Sequence, residues 1–411
     1  MKILRSNLKH PKVSVIFLDW GVRESFHSLD YLAEQTVDRS QYEVIWIEYY
    51  SHVPDSLVQK VEAAEAGGRP LIDQWIVLEA YPETCFHKHY AYNVGIALAT
   101  GEICVICDSD AMFPENFIER MQTTFNDMLQ VVLHIDEVRN VNRRFYPFNY
   151  PSRQEVLSDS KTINWNGVCA SGLNHSGDML HEANYGACMA ARRADLIAVG
   201  GADEHLDYLG YICGPYEMTF RLVNFGRKEV WLDDIVLIHT WHPNEGGEGN
   251  LGGPHDGRGI SLRALEARES GRYMALQENP AITALRQNPT LSRHAVINAL
   301  ESVDFKRWRK DTPGLQCLDP PILIRENIAN CNIIRFAGTY YLLPQADGAF
   351  LPDKAASGAY QHLLQDQNCE RLMERLEQGT VCPRPSRRSF IRRSFMLFVN
   401  WFRGYLDHLR K

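Results

Sequence analysis

No apolar run in this sequence approaches the roughly 18 residues that a membrane-spanning helix needs. The opening stretch MKILRSNLKHPKVSVIFLDWG meets charged or turn residues too often to form the apolar core of a secretory leader. The ten cysteines are scattered. Cys104 and Cys107 make one C-x-x-C, but no second pair stands near it to complete a zinc site, so both are read as buried strand thiols. The chain is also far too long for a small disulfide scaffold, and reduced thiols point to the cytoplasm. There is no surplus of positive charge: the net charge is -8, which argues against a nucleic-acid binder. There is no internal repeat. What remains is ordinary globular composition, 45% hydrophobic and 23% charged over 411 residues, enough for two or three structural units.

Strand and helix signals alternate over the first 110 residues. VSVIFLD (13–19), YEVIWIEYY (42–50), IDQWIVLEA (72–80) and EICVICD (102–108) read as strands. The stretches 24–35, 54–67 and 87–100 between them read as helices. This is the pattern of βαβ units and a mainly parallel sheet, an α/β fold. A helix over 114–126 and a strand over 130–138 follow, then polar, Asn- and Ser-rich loops over 139–183. A short strand and helix lie within 183–206, a helix at 214–226 and a strand at 229–243. NEGGEGNLGGPHDGRG (244–259) is too glycine-rich for regular structure and reads either as a disordered linker or as a mobile lid over a site. Beyond it come helical segments and a β-hairpin pattern on either side of Ala337-Gly338.

Open parallel sheets bind ligands at the carboxyl ends of their strands. Asp19, Glu48 and Asp108 all fall at such ends. Asp108 is followed by Ser109 and Asp110, and two carboxylates this close ionise at low cost only beside positive charge. A divalent cation supplies it and leaves positions open for phosphate oxygens. Alone, an Asp-Ser-Asp before Pro114 reads as a turn. Here it follows H-K-x-x-x-x-N-x-G (His87, Lys88, Asn93, Gly95) and precedes YGACMAARRADLIAVGGADEHL, a helix with Glu217, and a strand ending in His239 and His242.

In that order the motifs resemble the GT-A glycosyltransferases, specifically inverting family 2 and its relatives with a galactosyltransferase-type C-terminal segment. The resemblance covers about residues 12–243. It implies a GT-A domain over 1–255, an accessory region of helices and a hairpin over 256–383, and a tail over 384–411. It implies that Asp19, Glu48, Lys88, Asn93 and Asp108 bind the nucleotide sugar, although the family usually has Asp where Glu48 stands. It implies that Asp110 binds the metal, with Asp108 as alternate, and that Glu217 is the catalytic base, with Asp203 and Glu204 behind it. Tyr216-Glu217 replaces the family's Glu-Asp pair. A histidine at the end of the last strand would complete the metal shell, His242 first and His239 second. Two histidines three apart on a strand face different ways unless the chain turns, so a single histidine ligand is expected. Carboxylate plus imidazole suits Mn²⁺ better than Mg²⁺. The partners implied are a nucleotide-sugar donor, UDP-linked, and a glycan or glycolipid acceptor. The hairpin resembles a module appended to bacterial surface-polysaccharide enzymes.

The tail carries Arg384, Arg387, Arg388, Arg392, Arg393, Arg403, Arg410 and Lys411 against one acid, Asp407. Ile391, Phe395, Phe398, Phe402, Tyr405 and Leu409 form one helical stripe. The stripe fits an in-plane helix on the inner face of the cell membrane, and equally a terminal helix packed on the acidic body. Two other classes stand beside the enzyme reading. A membrane-docked scaffold could have kept the fold and lost turnover. A sugar nucleotidyltransferase would need a glycine-rich basic loop after the first strand, where FLDWGVRESF supplies one Gly and one Arg.

Overall fold

Val13–Asp19 is buried at every position, as a strand covered on both faces must be. The computed structural model describes residues 1–20, 23, 25–51, 53–81, 84–170, 185–209, 215–242, 262–309, 322–329, 331–336, 339–344, 355 and 358–377. The glycine-rich stretch 244–259 and the tail 384–411 lie outside the described residues, as does the turn at Ala337-Gly338. The chain divides into two compact units, Met1–Leu318 and Asp319–Lys411.

In the first unit the elements run β1 (Lys2–Ser6), β2 (Val13–Asp19), α1 (His27–Ala33), β3 (Tyr42–Tyr50), α2 (Asp55–Ala66), β4 (Gln74–Ala80), α3 (Lys88–Leu98) and β5 (Ile103–Cys107). Then come α4 (Phe117–Asp127), β6 (Val131–Asn140), α5 (Arg153–Leu157), β7 (Cys188–Arg192), α6 (Arg193–Ala198), α7 (Tyr216–Asn224) and β8 (Lys228–Thr240). The helices α8 (Leu262–Ser270), α9 (Pro280–Gln287) and α10 (Arg293–Glu301) complete it. Eight strands form one sheet in the order β1-β4-β3-β2-β5-β7-β6-β8. Strands β2, β3, β4 and β5 are mutually parallel, and β6 is parallel to β8. β7 is antiparallel to both β5 and β6, which restores the common direction across it. β1 pairs antiparallel at the edge. The mainly parallel α/β sheet is thus as expected, while β1 and the reversed β7 are additions. Six strands point their carboxyl ends at one rim.

The sheet is covered on both faces. One core holds Ile16, Ile45, Ile76, Tyr90, Val94 and Met218, the other Phe17, Trp46, Leu57, Val105, Phe117 and Leu237. The first core also takes in Ala281, Ile282, Leu285, Val296, Leu300 and Trp308. The segment after 255 is therefore not separate: α9 and α10 bury their apolar faces in the first unit, and the division falls after Leu318. Asn279 and Ser292 cap these two helices through their side-chain oxygens.

The second unit holds β9 (Ile322–Ile328), β10 (Cys331–Phe336), β11 (Thr339–Pro344), β12 (Gln365–Asp366) and α11 (Cys369–Glu377). The strands form an antiparallel sheet in the order β12-β11-β10-β9. β10 and β11 pair from Cys331↔Pro344 to Phe336↔Thr339, the hairpin that the alternation predicts.

Helix α3 lies directly on β2 because Gly95 has no side chain. A Cβ there would stand 2.4 Å from Ile16 Cγ2. Gly95→Ala is expected to force the helix off the strand and cost about 1–3 kcal/mol, read by chemical denaturation. An unchanged midpoint would show that the contact relaxes freely.

Candidate active site

The rim gathers Asp19 from β2, Glu48 from β3, Asp108 to Asp110 from the turn after β5, Glu137 and Arg139 from β6, and His239 from β8. The turn after β5 is fixed by its neighbours. Ser109 Oγ donates to Leu18 O at 2.9 Å, and Ser28 Oγ donates to Ser109 O at 2.7 Å. His27 Nε2 bonds Asp110 O at 2.8 Å. Met112 then exchanges backbone hydrogen bonds with Ile238, which draws Asp110 against the end of β8.

There Asp110 Oδ2 lies 3.2 Å from His239 Nε2 and 3.2 Å from His242 Nε2, and the two ring nitrogens are 3.2 Å apart. All three donors lie within 4.8 Å of one another. Donors about 2.1 Å from an octahedral ion stand about 3 Å apart, so this spacing fits a divalent cation. Burial outweighs the pull of Asp110 on His239 and drops its pKa to about 4, leaving a neutral ring with a lone pair to give. Both histidines face the carboxylate. The expected single ligand is corrected because β8 ends at Thr240, and the chain leaves strand geometry before His242. Asp108 is not in this group. Its carboxyl is pushed up to about 6 by burial, with Lys88 opposing the shift and Asp110 adding to it. Lys88 is thus close enough to Asp108 to favour its charged form.

Arg23 was not expected here. Its Nη1 pairs with Asp110 Oδ2 and its Nε donates to Ser109 Oγ at 2.8 Å. Burial disfavours its charge, but Asp110, Asp19, Asp108 and Glu137 outweigh this and raise its pKa. Burial likewise works to raise Asp110, yet Arg23 and the histidines hold it well below the usual carboxylate range. Glu137 and Arg139, 3.0 Å apart, are a second buried pair beside Asp108 and Asp110. The i, i+2 spacing in HIDEVRN was the available signal for these two, since it puts both on one strand face. A small cavity of about 60 Å³ opens over Arg23, Asp110 and His242, walled by Tyr146, Phe148 and Trp241.

Asp19 and Glu48 stand side by side in register. Glu48 Oε1 accepts from Trp46 Nε1 at 2.7 Å, and Oε2 is buried with no partner. Burial, then Asp19, push its pKa up to about 8. The pair sets a partnerless carboxyl oxygen of Glu48 beside a second buried carboxyl.

Asn93 is used differently. It receives Ala202 N at 2.7 Å and donates to Ala202 O at 2.8 Å and Glu204 Oε1 at 3.0 Å. It is a brace between α3 and the Gly200–Glu204 turn, with both amide protons used there. Gly201, at φ +69, would place a Cβ 2.3 Å from Asn93 Oδ1. Glu204 is equally committed, to Asn93, Asn279 and Arg307. Glu217 is held by Arg221 one helical turn on: Nε to Oε2 at 2.8 Å and Nη2 to Oε1 at 3.0 Å. Asp203 N also donates to Glu217 Oε1, and His89 Nδ1 lies 3.7 Å from it. Glu217 is therefore a buried ion-pair partner rather than a free base. Asp203, Tyr208 and Glu217 line another cleft, of about 20 Å³.

Residues 26–199 match the family model Glycosyl transferase family 2. That span holds the Asp108–Asp110 turn and ends before His239. No curated protein matches the chain. Among solved structures, TarS 1-349 from S. aureus is 15% identical, over 70% of this chain and 69% of that one, with a TM-score of 0.41. TarS in complex with UDP is 16% identical, over 72% and 76%, with a TM-score of 0.41. The mannosyltransferase PcManGT from Pyrobaculum calidifontis, in complex with GDP-Man and Mn2+, is 17% identical, over 74% and 84%, with a TM-score of 0.39. Over residues 26–199, under half of its length, the chain is similar to the family 2 glycosyltransferases.

Two outcomes follow from this geometry. Removing one partner of a buried ion pair costs about 3–5 kcal/mol, so Glu217→Ala should lower stability by that order in chemical denaturation. Lost activity at unchanged stability would return Glu217 to the role of base. For Glu48, the folded pKa lies above the unfolded one, so its contribution to stability is full below the unfolded pKa of about 4.3 and is lost as pH rises toward 8. Glu48→Gln should therefore melt higher than the parent at pH 8, with the gain shrinking toward pH 5. A gain independent of pH would contradict the raised pKa.

Proposed function

We propose that the protein is a metal-dependent, inverting glycosyltransferase. It would move a hexosyl or N-acetylhexosaminyl group from a UDP-sugar to a hydroxyl of a glycan or glycolipid in cell-surface polysaccharide synthesis. The observation that carries the metal dependence is the convergence of Asp110, His239 and His242 at the rim where Asp19, Glu48 and Asp108 also end. One carboxylate and two imidazoles favour Mn²⁺ over Mg²⁺. Bound there, the cation would neutralise charge on the departing diphosphate.

The chain's own residues divide the remaining work. Glu48 and Asp19 offer acceptors to the base and ribose. Lys88, beside Asp108, brings positive charge to the donor's anionic part. The acceptor hydroxyl must lose a proton as it attacks the anomeric carbon. With Glu217 engaged by Arg221, we assign that proton to Asp203. Its Oδ1 accepts from His205 N and Gln277 N, and burial, then Glu217, raise its proton affinity. Attack opposite the leaving nucleoside diphosphate inverts the anomeric centre. UDP and the inverting course rest on the family resemblance. Among the described residues no helix is long and apolar enough to cross a membrane. A seat on the inner membrane face would rest on the tail 384–411.

Calorimetric titration with UDP, GDP and their sugars, in Mn²⁺ and in chelator, tests the reading. Binding of one nucleotide in Mn²⁺, weakened at least tenfold by chelator and by Asp110→Ala, is the expected result. Equal binding in chelator, retained by Asp110→Ala, would end the metal-dependent reading.

A further inference from the structure

Asp110 Oδ2 is the oxygen that both histidines face, and it is also the oxygen that Arg23 Nη1 holds. The Arg23 side chain is only 6% exposed. It is oriented at three points: Nη1 on Asp110, Nε on Ser109 Oγ at 2.8 Å, and the guanidinium carbon 5.4 Å from the Trp20 ring centroid. A cation coordinated by Asp110 Oδ2 and the histidines would meet this guanidinium at contact distance. Two positive centres cannot share one oxygen at low cost in a buried setting.

We propose that Arg23 is a built-in counter-cation of the metal site, which must leave Asp110 Oδ2 before a divalent ion binds there. The proposal rests on the metal-dependent reading above and adds a competitor to it. Arg23 lines the same cavity as Asp110 and His242, so the displaced guanidinium stays at its mouth. There an anionic diphosphate gives it a new partner through its planar fork. Metal and nucleoside diphosphate then bind cooperatively through one side chain: the nucleotide draws Arg23 away, and the metal takes the oxygen it leaves. Reciprocity of linkage requires each ligand to tighten the other by the same factor.

The test is Mn²⁺ binding by the full chain, read by electron paramagnetic resonance of the free ion, with and without UDP. Circular dichroism and a thermal melt confirm folding. Arg23→Gln should bind Mn²⁺ alone roughly tenfold more tightly than the parent, and UDP should tighten its Mn²⁺ binding less than it does in the parent. Arg23→Lys keeps the charge but not the fork, so it should fall between the two; it also serves if Arg23→Gln fails to fold. Mn²⁺ binding in both variants that is equal to the parent or weaker overturns the proposal and leaves the metal site standing. No Mn²⁺ binding by parent or variants overturns the metal site and the proposal together.

Discussion

Burial of like charge at one rim of the sheet is the constraint on which the rest depends. Asp19, Glu48, Asp108, Asp110 and Glu137 are carried to the same edge by parallel strands and lose most of their water there. A cluster of that kind can be kept only by protons or by cations, and the structure uses both. Glu48 and Glu137 have pKa values pushed up to about 8, and Asp108 to about 6. Asp110 stays ionised because Arg23 and the histidines face it. The surroundings thus set Glu48 and Glu137, which hold protons near neutral pH, apart from Asp110, the charged anchor, the kind of division that binding sites exploit.

A second buried network stands beside the first. Helix α3 begins at Lys88, which looks toward Asp108, and continues through His89 and Asn93, which look toward the Gly200–Glu204 turn. Glu217 and Arg221 sit behind that turn, where Asp203 N donates to Glu217 and Arg221 donates to the carbonyls of Val199 and Gly201. Motifs adjacent in sequence are therefore unlike in role. In H-K-x-x-x-x-N-x-G, the lysine lies near Asp108, the asparagine braces a turn, and the glycine lets a helix touch a strand.

Most of the fold was legible, because buried parallel strands separated by amphipathic helices leave a strong periodic trace. β7 was legible as a strand, but its reversed direction was not, since pairing sense is a tertiary outcome. The sheet-end acids were legible from their position after apolar runs. The role of Glu217 was not, because a base and an ion-pair partner look alike until the arginine one helical turn away is seen to close on it. Arg23 stood in plain view in FLDWGVRESF, yet nothing local says that a loop after β2 will reach a turn 87 positions later. His239 and His242 were found, but their joint aim depended on where β8 stops.

The reversed strand β7 has one more effect. It stands between the part of the sheet that carries Asp110 and the part that carries His239, so the three donor atoms meet only once β5, β7, β6 and β8 are zipped together. Their sequence separation, 129 to 132 residues, makes this a non-local contact that forms after the local ones. A ligand that bridges them would therefore favour chains in which those four strands are assembled over chains in which they are not.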